Sequence, residues 1–147
     1  DTYAFTGDYD SDLVYTNYVA VLGEDTFWPG QNSRTTEELT DELSSTIVIM
    51  ENINGKMHWM EPRELMMDTM SFKLNQPNGL GSKYENPAVL MADFFTREID
   101  TKMPKKVFRA LLTVNGQEPV DTSGDYWKLL LDGRLRSERD SELDTQN

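Results

Sequence analysis

The sequence contains no cysteine, and this absence excludes disulfide bonds, thiolate metal sites and cysteine nucleophiles. It leaves the cellular compartment open, because many exported proteins also lack disulfides. Long apolar runs are absent as well. The longest, Thr46–Met50, is far shorter than the ~20 residues of a membrane helix, and its composition is typical of a buried strand.

Basic side chains are few, 14 against 26 acidic ones, which gives a formal net charge of −12. At ordinary salt, nucleic acids and anionic membrane surfaces repel a chain with this charge. We therefore expect no nucleic-acid binding. Cations, basic protein surfaces and neutral polymers stay open as partners, although acidity also serves simply to keep a protein soluble.

The chain has enough residues for one domain, since 147 lies within the usual size range. Its composition divides it into an acidic lead segment (1–14), a folded domain (15–120) and a carboxy-terminal extension with a charged tail (121–147). The first residue is Asp1 rather than methionine, so we expect any export signal or anchor upstream of it.

The lead segment carries alternating carboxylates, Asp8, Asp10 and Asp12, which resemble the opening of an EF-hand calcium loop. The rest of that loop is missing. Leu13 stands where the loop needs glycine, and Val19 stands where it needs a bidentate glutamate. A solvated acidic segment is therefore favoured over a metal site, and no cofactor is expected.

Patterns in the first third of the chain predict strands around one short helix. Residues 15–22 are rich in aromatic and β-branched side chains, which indicates a first core strand. Thr35 and Glu38 have the spacing of a capping box, so a short helix should begin there and run to about Leu43. The apolar run that follows should form a central strand, covered on both sides, that ends near Glu51.

Turn residues predict the connections that come next. Asn54-Gly55 has the preferred sequence of a type I′ hairpin turn and should join the central strand to a strand over 56–60. Pro62 can occupy the first position of a helical turn over 63–67. We therefore expect a hairpin followed by a helical turn.

The following stretch predicts two further strand regions and a loop. Residues 70–74 alternate like a half-buried strand, and 75–87, with two prolines and two glycines, is typical of a long surface loop. Residues 89–92 and 94–99 should then form a strand pair, or one bent strand, around Asp93.

Pro104 should begin the clearest helix, because four apolar residues follow it at helical spacing on one side: Val107, Phe108, Leu111 and Leu112. A last apolar segment within 123–133 precedes the charged tail. These elements together predict an α+β domain, with an antiparallel sheet and short helices.

Several segments carry a resemblance to a known family. The closest is HWMEPRELMMDTMSF at His58–Phe72, which follows YVAVLG at Tyr18–Gly23 and a turn at Pro29-Gly30. With FRALLTVNGQEPV at Phe108–Val120, the chain resembles the planctomycete pilin-like family known as domain of unknown function 1559. The resemblance implies a pilin-like head without its amino-terminal hydrophobic helix, located outside the inner membrane and membrane-anchored before processing.

The chain also departs from that family's pattern. The family's signature near the end is a histidine, nine residues and then Asp-Gly, but Lys83 and then Asp93-Phe94 occupy those positions here. In the segment from Asp41 to the end of the central strand, four positions match the family and three do not: Asp41, Ser44, Thr46 and Glu51 match, whereas Glu42, Leu43 and Ser45 differ. The sequence therefore resembles a diverged member.

Five residues are candidates for an architectural role. Glu61 and Arg63 flank Pro62 and should form an ion pair that pins this turn to the sheet. We expect Trp59 to be buried. Asp93, around which the strands over 89–92 and 94–99 are predicted, is the fifth candidate for an architectural role.

Three aromatic residues, Phe27, Trp28 and Trp127, are candidates for an interface, because tryptophans stack on sugars and anchor protein contacts. The methionines of the His58–Phe72 region should mainly fill the core, although an adaptable binding surface is the alternative.

Catalytic patterns are weak in this sequence. His58 is the only histidine, and no nucleophile-elbow glycine pattern surrounds any serine, so a hydrogen-bonded structural histidine is favoured. With 26 acidic residues some carboxylates will lie close by chance, which does not indicate glycoside hydrolysis. We expect no enzymatic activity.

The leading hypothesis is a structural or interaction protein that assembles with itself or docks on a larger exported complex. The alternative is a binding module for a glycan or peptide. Metal or calcium binding at the acidic loops would follow only by analogy of fold.

Overall fold

A computed structural model describes residues 15–117 and the backbone of 127–129. The strands are β1 (Tyr15–Thr16), β2 (Tyr18–Val19), β3 (Val21–Leu22), β4 (Ile47–Glu51), β5 (Met57–His58), β6 (Leu65–Met66), β7 (Ala88–Met91), β8 (Thr96–Ile99) and β9 (Trp127–Leu129). The helices are α1 (Lys105–Ala110) and two 3₁₀ turns, Thr36–Glu38 and Leu43–Ser45. None of the helices in these ranges has the length and apolar character needed to cross a membrane.

Five strands form the main sheet in the order β2, β4, β7, β8, β9, and every neighbouring pair in it is antiparallel. β4 lies between β2 and β7, and its Ile47 and Met50 are buried in the core. The predicted α+β class is confirmed, and β4 is an inner strand of the sheet as predicted. It is not fully covered on both sides, because Val48 and Ile49 are only half-buried.

The predicted strand over 15–22 is divided into three two-residue strands with three different partners. β1 pairs with β5, β2 pairs with β4, and β3 pairs in parallel with β6. The side-chain composition correctly indicates extended backbone, but it carries no information about which neighbour each pair of residues meets. The single strand was therefore a wrong prediction.

The predicted type I′ hairpin at Asn54-Gly55 is also wrong. That turn needs positive φ at both residues, whereas the positive φ, 45°, belongs to Lys56. The Oδ1 atom of Asn52 accepts a hydrogen bond from the Gly55 N–H at 2.6 Å and closes a different turn. β5 consequently leaves β4 and pairs with β1.

Residues 63–67 do not form the predicted helical turn after Pro62. Leu65 lies in β6, and its N–H donates to the Ala20 carbonyl at 3.0 Å as part of the parallel pairing with β3. The hydrogen bonds to this distant segment outweigh the local preference of proline for a first helical position.

The region 70–87 differs from its predicted form in two ways. Residues 70–74 form no strand, and only Ser71 makes an isolated bridge, to Gly79. The predicted surface loop 75–87 is partly internal, because Leu80 is a buried member of the core. Only 1% of Leu80 is exposed, so this part of the loop contributes to the core.

Glu51, at the end of β4, is one of two buried polar residues that hold this loop in place. Its Oε1 accepts a hydrogen bond from the Ser82 hydroxyl at 2.8 Å, and its Oε2 accepts one from the Ala88 N–H at 2.9 Å. Both oxygens of this carboxyl group thus have partners, as buried polar atoms require. Asn52 is the other, and its side-chain amide donates to the Pro77 and Gly79 carbonyls of the loop.

The predicted strand pair around Asp93 is confirmed as the antiparallel pair β7–β8. The predicted helix is confirmed as well, since α1 begins directly after Pro104. Its apolar side packs into the core through Phe108, with Leu111 and Leu112 buried just beyond the last turn.

The predicted capping box is present, but the helix it begins is only one turn long. The Thr35 N–H donates to Glu38 Oε2 at 2.6 Å, and this bond holds the pKa of the Glu38 carboxyl below its ordinary value. The chain does not continue as a helix to Leu43, because the Thr40 N–H donates instead to the Val114 carbonyl at 2.9 Å.

Candidate functional site

Some predicted site residues lie beyond the described part of the chain. Asp8, Asp10 and Asp12 are outside it, and only the backbone of Trp127 is described, in β9 opposite Ile99 of β8. Within the ranges that the structure describes, no group of three or more histidine or acidic residues is placed to hold a metal ion.

Glu61 and Arg63 form an ion pair on the surface, with Arg63 Nη2 2.5 Å from Glu61 Oε1. Arg63 Nη1 also donates to the Gly55 carbonyl at 3.1 Å, so the pair joins two turns rather than pinning a turn to the sheet. Pro62 lies between them and is exposed. Because both charged side chains are exposed, the pair contributes roughly 0–1 kcal/mol.

Trp59 is not buried, contrary to expectation, because 61% of it is exposed. β5 ends at His58, and the Glu61 N–H donates to the His58 carbonyl at 2.8 Å, so the chain turns before residue 59 can follow Met57 inward. The Trp59 ring stacks against the His58 ring, with centroids 6.3 Å apart. Together these two rings form a small exposed platform.

The aromatic turn at Phe27 and Trp28 is fastened to the central strand. Trp28 is 40% exposed, and its indole N–H donates to the Val48 carbonyl of β4 at 2.8 Å. Phe27 packs edge-on against it at 5.4 Å between ring centroids. The turn therefore presents a held aromatic surface beside β4.

The turn between β7 and β8, residues Asp93, Phe94 and Phe95, is the most exposed apolar feature of the described residues and is called here the hairpin tip. Phe94 is 87% exposed and Phe95 is 53% exposed. Phe94 also has a φ of 66°, the left-handed conformation that side chains other than glycine and asparagine rarely adopt. A large exposed aromatic residue is thus held in a strained backbone conformation.

Hydrogen bonds within the hairpin maintain this conformation. Asp93 Oδ1 accepts from the Phe95 N–H at 3.0 Å, and Asp93 Oδ2 lies 3.5 Å from Arg97 Nη2. The Phe94 N–H donates to the Met91 carbonyl at 3.0 Å. The two Asp93 contacts and the Met91 bond thus hold the backbone that carries the two phenylalanines.

The hairpin tip and Trp28 lie at the same end of the main sheet. The tip follows Met91, which pairs with Ile47 at the start of β4, and Trp28 bonds to Val48 in the same part of that strand. We call Trp28, Leu43, Phe94 and Phe95 the apolar end, since Leu43 is 46% exposed and opens the 3₁₀ turn directly before β4. Exposed apolar groups gathered in one region are typical of interaction sites.

Sequence reasoning missed Leu43, Phe94 and Phe95 as site residues. The sequence offered one signal for Phe94: the family pattern that the chain resembles has glycine after this aspartate, whereas this chain has phenylalanine. A position that takes positive φ suits glycine. An exposed phenylalanine with positive φ is therefore an outlier, which makes Phe94 a candidate site residue.

Replacing Phe94 by glycine should raise the free energy of unfolding by about 1 kcal/mol, because glycine adopts positive φ without the steric cost of a Cβ atom. The ring is mostly exposed, so little burial is lost. Urea unfolding measures the change. Phe95→Gly is the matched control at a position without positive φ and should lower stability; equal losses in both variants would contradict the assignment of strain.

The comparisons with known proteins give no relative for this chain: no protein-family model, no curated protein and no solved structure matches it. The resemblance to the planctomycete pilin-like family stays a prediction from the sequence segments that carry it.

Proposed function

We propose that this chain is a non-enzymatic interaction domain that docks through its apolar end on a protein partner. The observation that carries the proposal is Phe94, an exposed aromatic side chain kept in a strained conformation at the hairpin tip. Strain of this kind persists only where surrounding contacts maintain it, and it concentrates at functional positions.

Preorganisation of the hairpin tip supports this role. The bonds from Asp93 and Met91 hold the backbone of the two phenylalanines, so binding would order little additional chain. Aromatic anchors that insert into a partner's pocket supply much of the energy of protein interfaces. Trp28, fastened to β4, would extend the contact along the same end of the sheet.

Charge favours a partner other than a second copy. Two chains with a net charge of −12 repel each other at long range, whereas a partner with a basic rim around an apolar pocket would be attracted. Docking on a larger complex is therefore proposed ahead of self-assembly, which is the other expected form of this function.

The test begins with native mass spectrometry of the complex that the chain forms in its source cells, which identifies the partner. Binding of the purified partner is then compared among the wild type, Phe94→Ser and Trp59→Ser. We expect Phe94→Ser to weaken binding roughly tenfold or more, and Trp59→Ser, an equally drastic change at an exposed aromatic residue outside the apolar end, to have less than about a twofold effect.

Retention of partner binding by Phe94→Ser would overturn the assignment of the hairpin tip. A wild-type protein that dimerises in sedimentation experiments, with dimerisation lost in Phe94→Ser, would instead establish self-assembly through the same surface.

A binding module for a glycan is the second candidate, and the Trp59–His58 platform is the observation that favours it. An exposed indole face beside a stacked imidazole is suited to the apolar face of a sugar ring. A glycan array with the wild type and Trp59→Ala tests this reading. If the wild type binds no glycan on the array, or if both proteins give equal signals, glycan binding at this platform is contradicted.

The cellular location belongs to the same proposal. The family resemblance implies export and an upstream hydrophobic helix, so the gene product should be recovered in the membrane fraction before processing and in the extracytoplasmic fraction after it. Recovery of the protein from the cytoplasmic fraction alone would contradict the exported form of the proposal.

A further inference from the structure

A cleft of about 320 Å³ lies between the 72–80 segment, the end of β8 and the start of α1. Its lining is mainly apolar, with side chains from Phe72, Leu74, Leu80, Ile99, Met103 and Phe108. This volume is at the lower end of the roughly 300–1,000 Å³ of small-molecule pockets. β8 begins next to the hairpin tip and ends at Ile99, so the cleft and the apolar end lie at opposite ends of this strand.

The two chain segments that form most of the cleft are basic, although the chain as a whole is acidic. The two segments that supply most of the lining, 71–84 and 101–117, contain no acidic residue and six of the 14 basic ones: Lys73, Lys83, Lys102, Lys105, Lys106 and Arg109. This local excess of positive charge stands against a formal net charge of −12.

One of these cations lines the cleft, and two others lie beside one of its lining residues. Lys73 belongs to the lining. Lys105 Nζ lies 5.0 Å and Arg109 Cζ 5.9 Å from the centroid of the Phe72 ring, and Phe72 itself lines the cleft. Within residues 15–117, none of the three forms an ion pair with a carboxylate.

Asp100 also lines the cleft, and its carboxylate would repel an anion bound there. Its Oδ1 accepts a hydrogen bond from the Lys102 N–H at 2.7 Å, which directs part of its charge toward the backbone. Lys73 in the lining and Lys105 and Arg109 beside Phe72 together outnumber this single carboxylate.

We infer that this cleft binds a small amphipathic carboxylate, with a short alkyl chain or a single aromatic ring in the apolar interior and the carboxylate among Lys73, Lys105 and Arg109. The limited volume suits a body of this size, and the cationic rim selects an anionic head over a neutral one. This site is independent of the protein-docking function proposed above.

Octanoate is the probe, added to the isotopically labelled full chain and followed by the chemical shifts of backbone amides. We expect saturable shifts concentrated in residues 72–80 and 99–109. Two analogues, 1-octanol and acetate, should each bind at least about fivefold more weakly than octanoate. The first lacks the negative charge, and the second lacks the alkyl chain.

Arg109→Gln should weaken octanoate binding about fivefold to tenfold, since it removes one of the charge-assisted contacts. Lys106→Gln, which removes the same charge from a neighbouring face of α1, is the matched control and should change the affinity less than about twofold. Both positions are exposed, so the variants should fold, and their thermal unfolding is checked against the wild type.

Absence of saturable shifts at millimolar octanoate, equal binding of 1-octanol, or equal losses in Arg109→Gln and Lys106→Gln would each overturn the assignment. Shifts confined to the apolar end would do the same, because they would show that octanoate binds there by its alkyl chain alone.

Discussion

Replacing Asn52 by alanine should lower the free energy of unfolding by about 3 kcal/mol, because three backbone groups lose their partner. Asn52 is 0% exposed. Its Nδ2 donates to the Pro77 carbonyl at 3.0 Å and to the Gly79 carbonyl at 2.6 Å, and its Oδ1 accepts from the Gly55 N–H at 2.6 Å. One side chain thus holds the 75–87 loop against the turn that follows β4.

Asn78→Ala is the matched control for this prediction. The Asn78 side chain is exposed and makes one bond, from Nδ2 to the Thr69 carbonyl at 3.1 Å, so its loss should cost less than about 1 kcal/mol. Urea unfolding of both variants at one temperature measures the difference. Equal stability of Asn52→Ala and Asn78→Ala would show that water replaces the Asn52 amide.

Replacing Leu111 by alanine should also lower the free energy of unfolding by about 3 kcal/mol, because it leaves a cavity where α1 meets the main sheet. Leu111 is fully buried in the core cluster that contains Met50 and Phe108. Its carbonyl accepts a hydrogen bond from the Ile47 N–H at 2.7 Å, so this residue also ties the end of α1 to the start of β4. The substitution keeps that backbone bond and isolates the loss of packing.

Leu43→Ala removes the same atoms from a side chain that is 46% exposed, and it should cost less than about 1 kcal/mol. Unfolding in urea, with the slope of the transition compared as well as its midpoint, measures both variants. A Leu111→Ala protein as stable as Leu43→Ala would mean that the helix is not packed on the sheet as described.

The two stability predictions differ in how far the sequence anticipates them. Leu111 belongs to an apolar pattern with helical spacing after Pro104, so its burial follows from the sequence directly. Nothing in the local sequence marks Asn52, which precedes an Asn-Gly dipeptide with a strong preference of its own for a hairpin. Its role depends on Pro77 and Gly79, which become neighbours only on folding.

The same contrast holds at the candidate site. Trp28 was recognisable as an exposed aromatic anchor, and Asp93 as the residue of a turn between two strands. The prediction that Trp59 is buried was wrong because β5 ends after two residues. The length of β5 is set by its pairing with β1 rather than by the composition of β5. The exposure and strain of Phe94 depend on how the β7–β8 hairpin closes.

Local patterns in this chain were enough to establish the α+β class, the central strand β4, the β7–β8 pair and the helix α1. These features depend on side-chain periodicity and on interactions between residues close in the chain, which a sequence displays directly. The partners of β1, β3 and β5, the Asn52 contacts, the apolar end and the basic cleft depend instead on segments that meet only in the folded protein. Hydrogen bonds and burial between those segments outweigh local preferences of less than about 1 kcal/mol per residue, so the folded arrangement decides them.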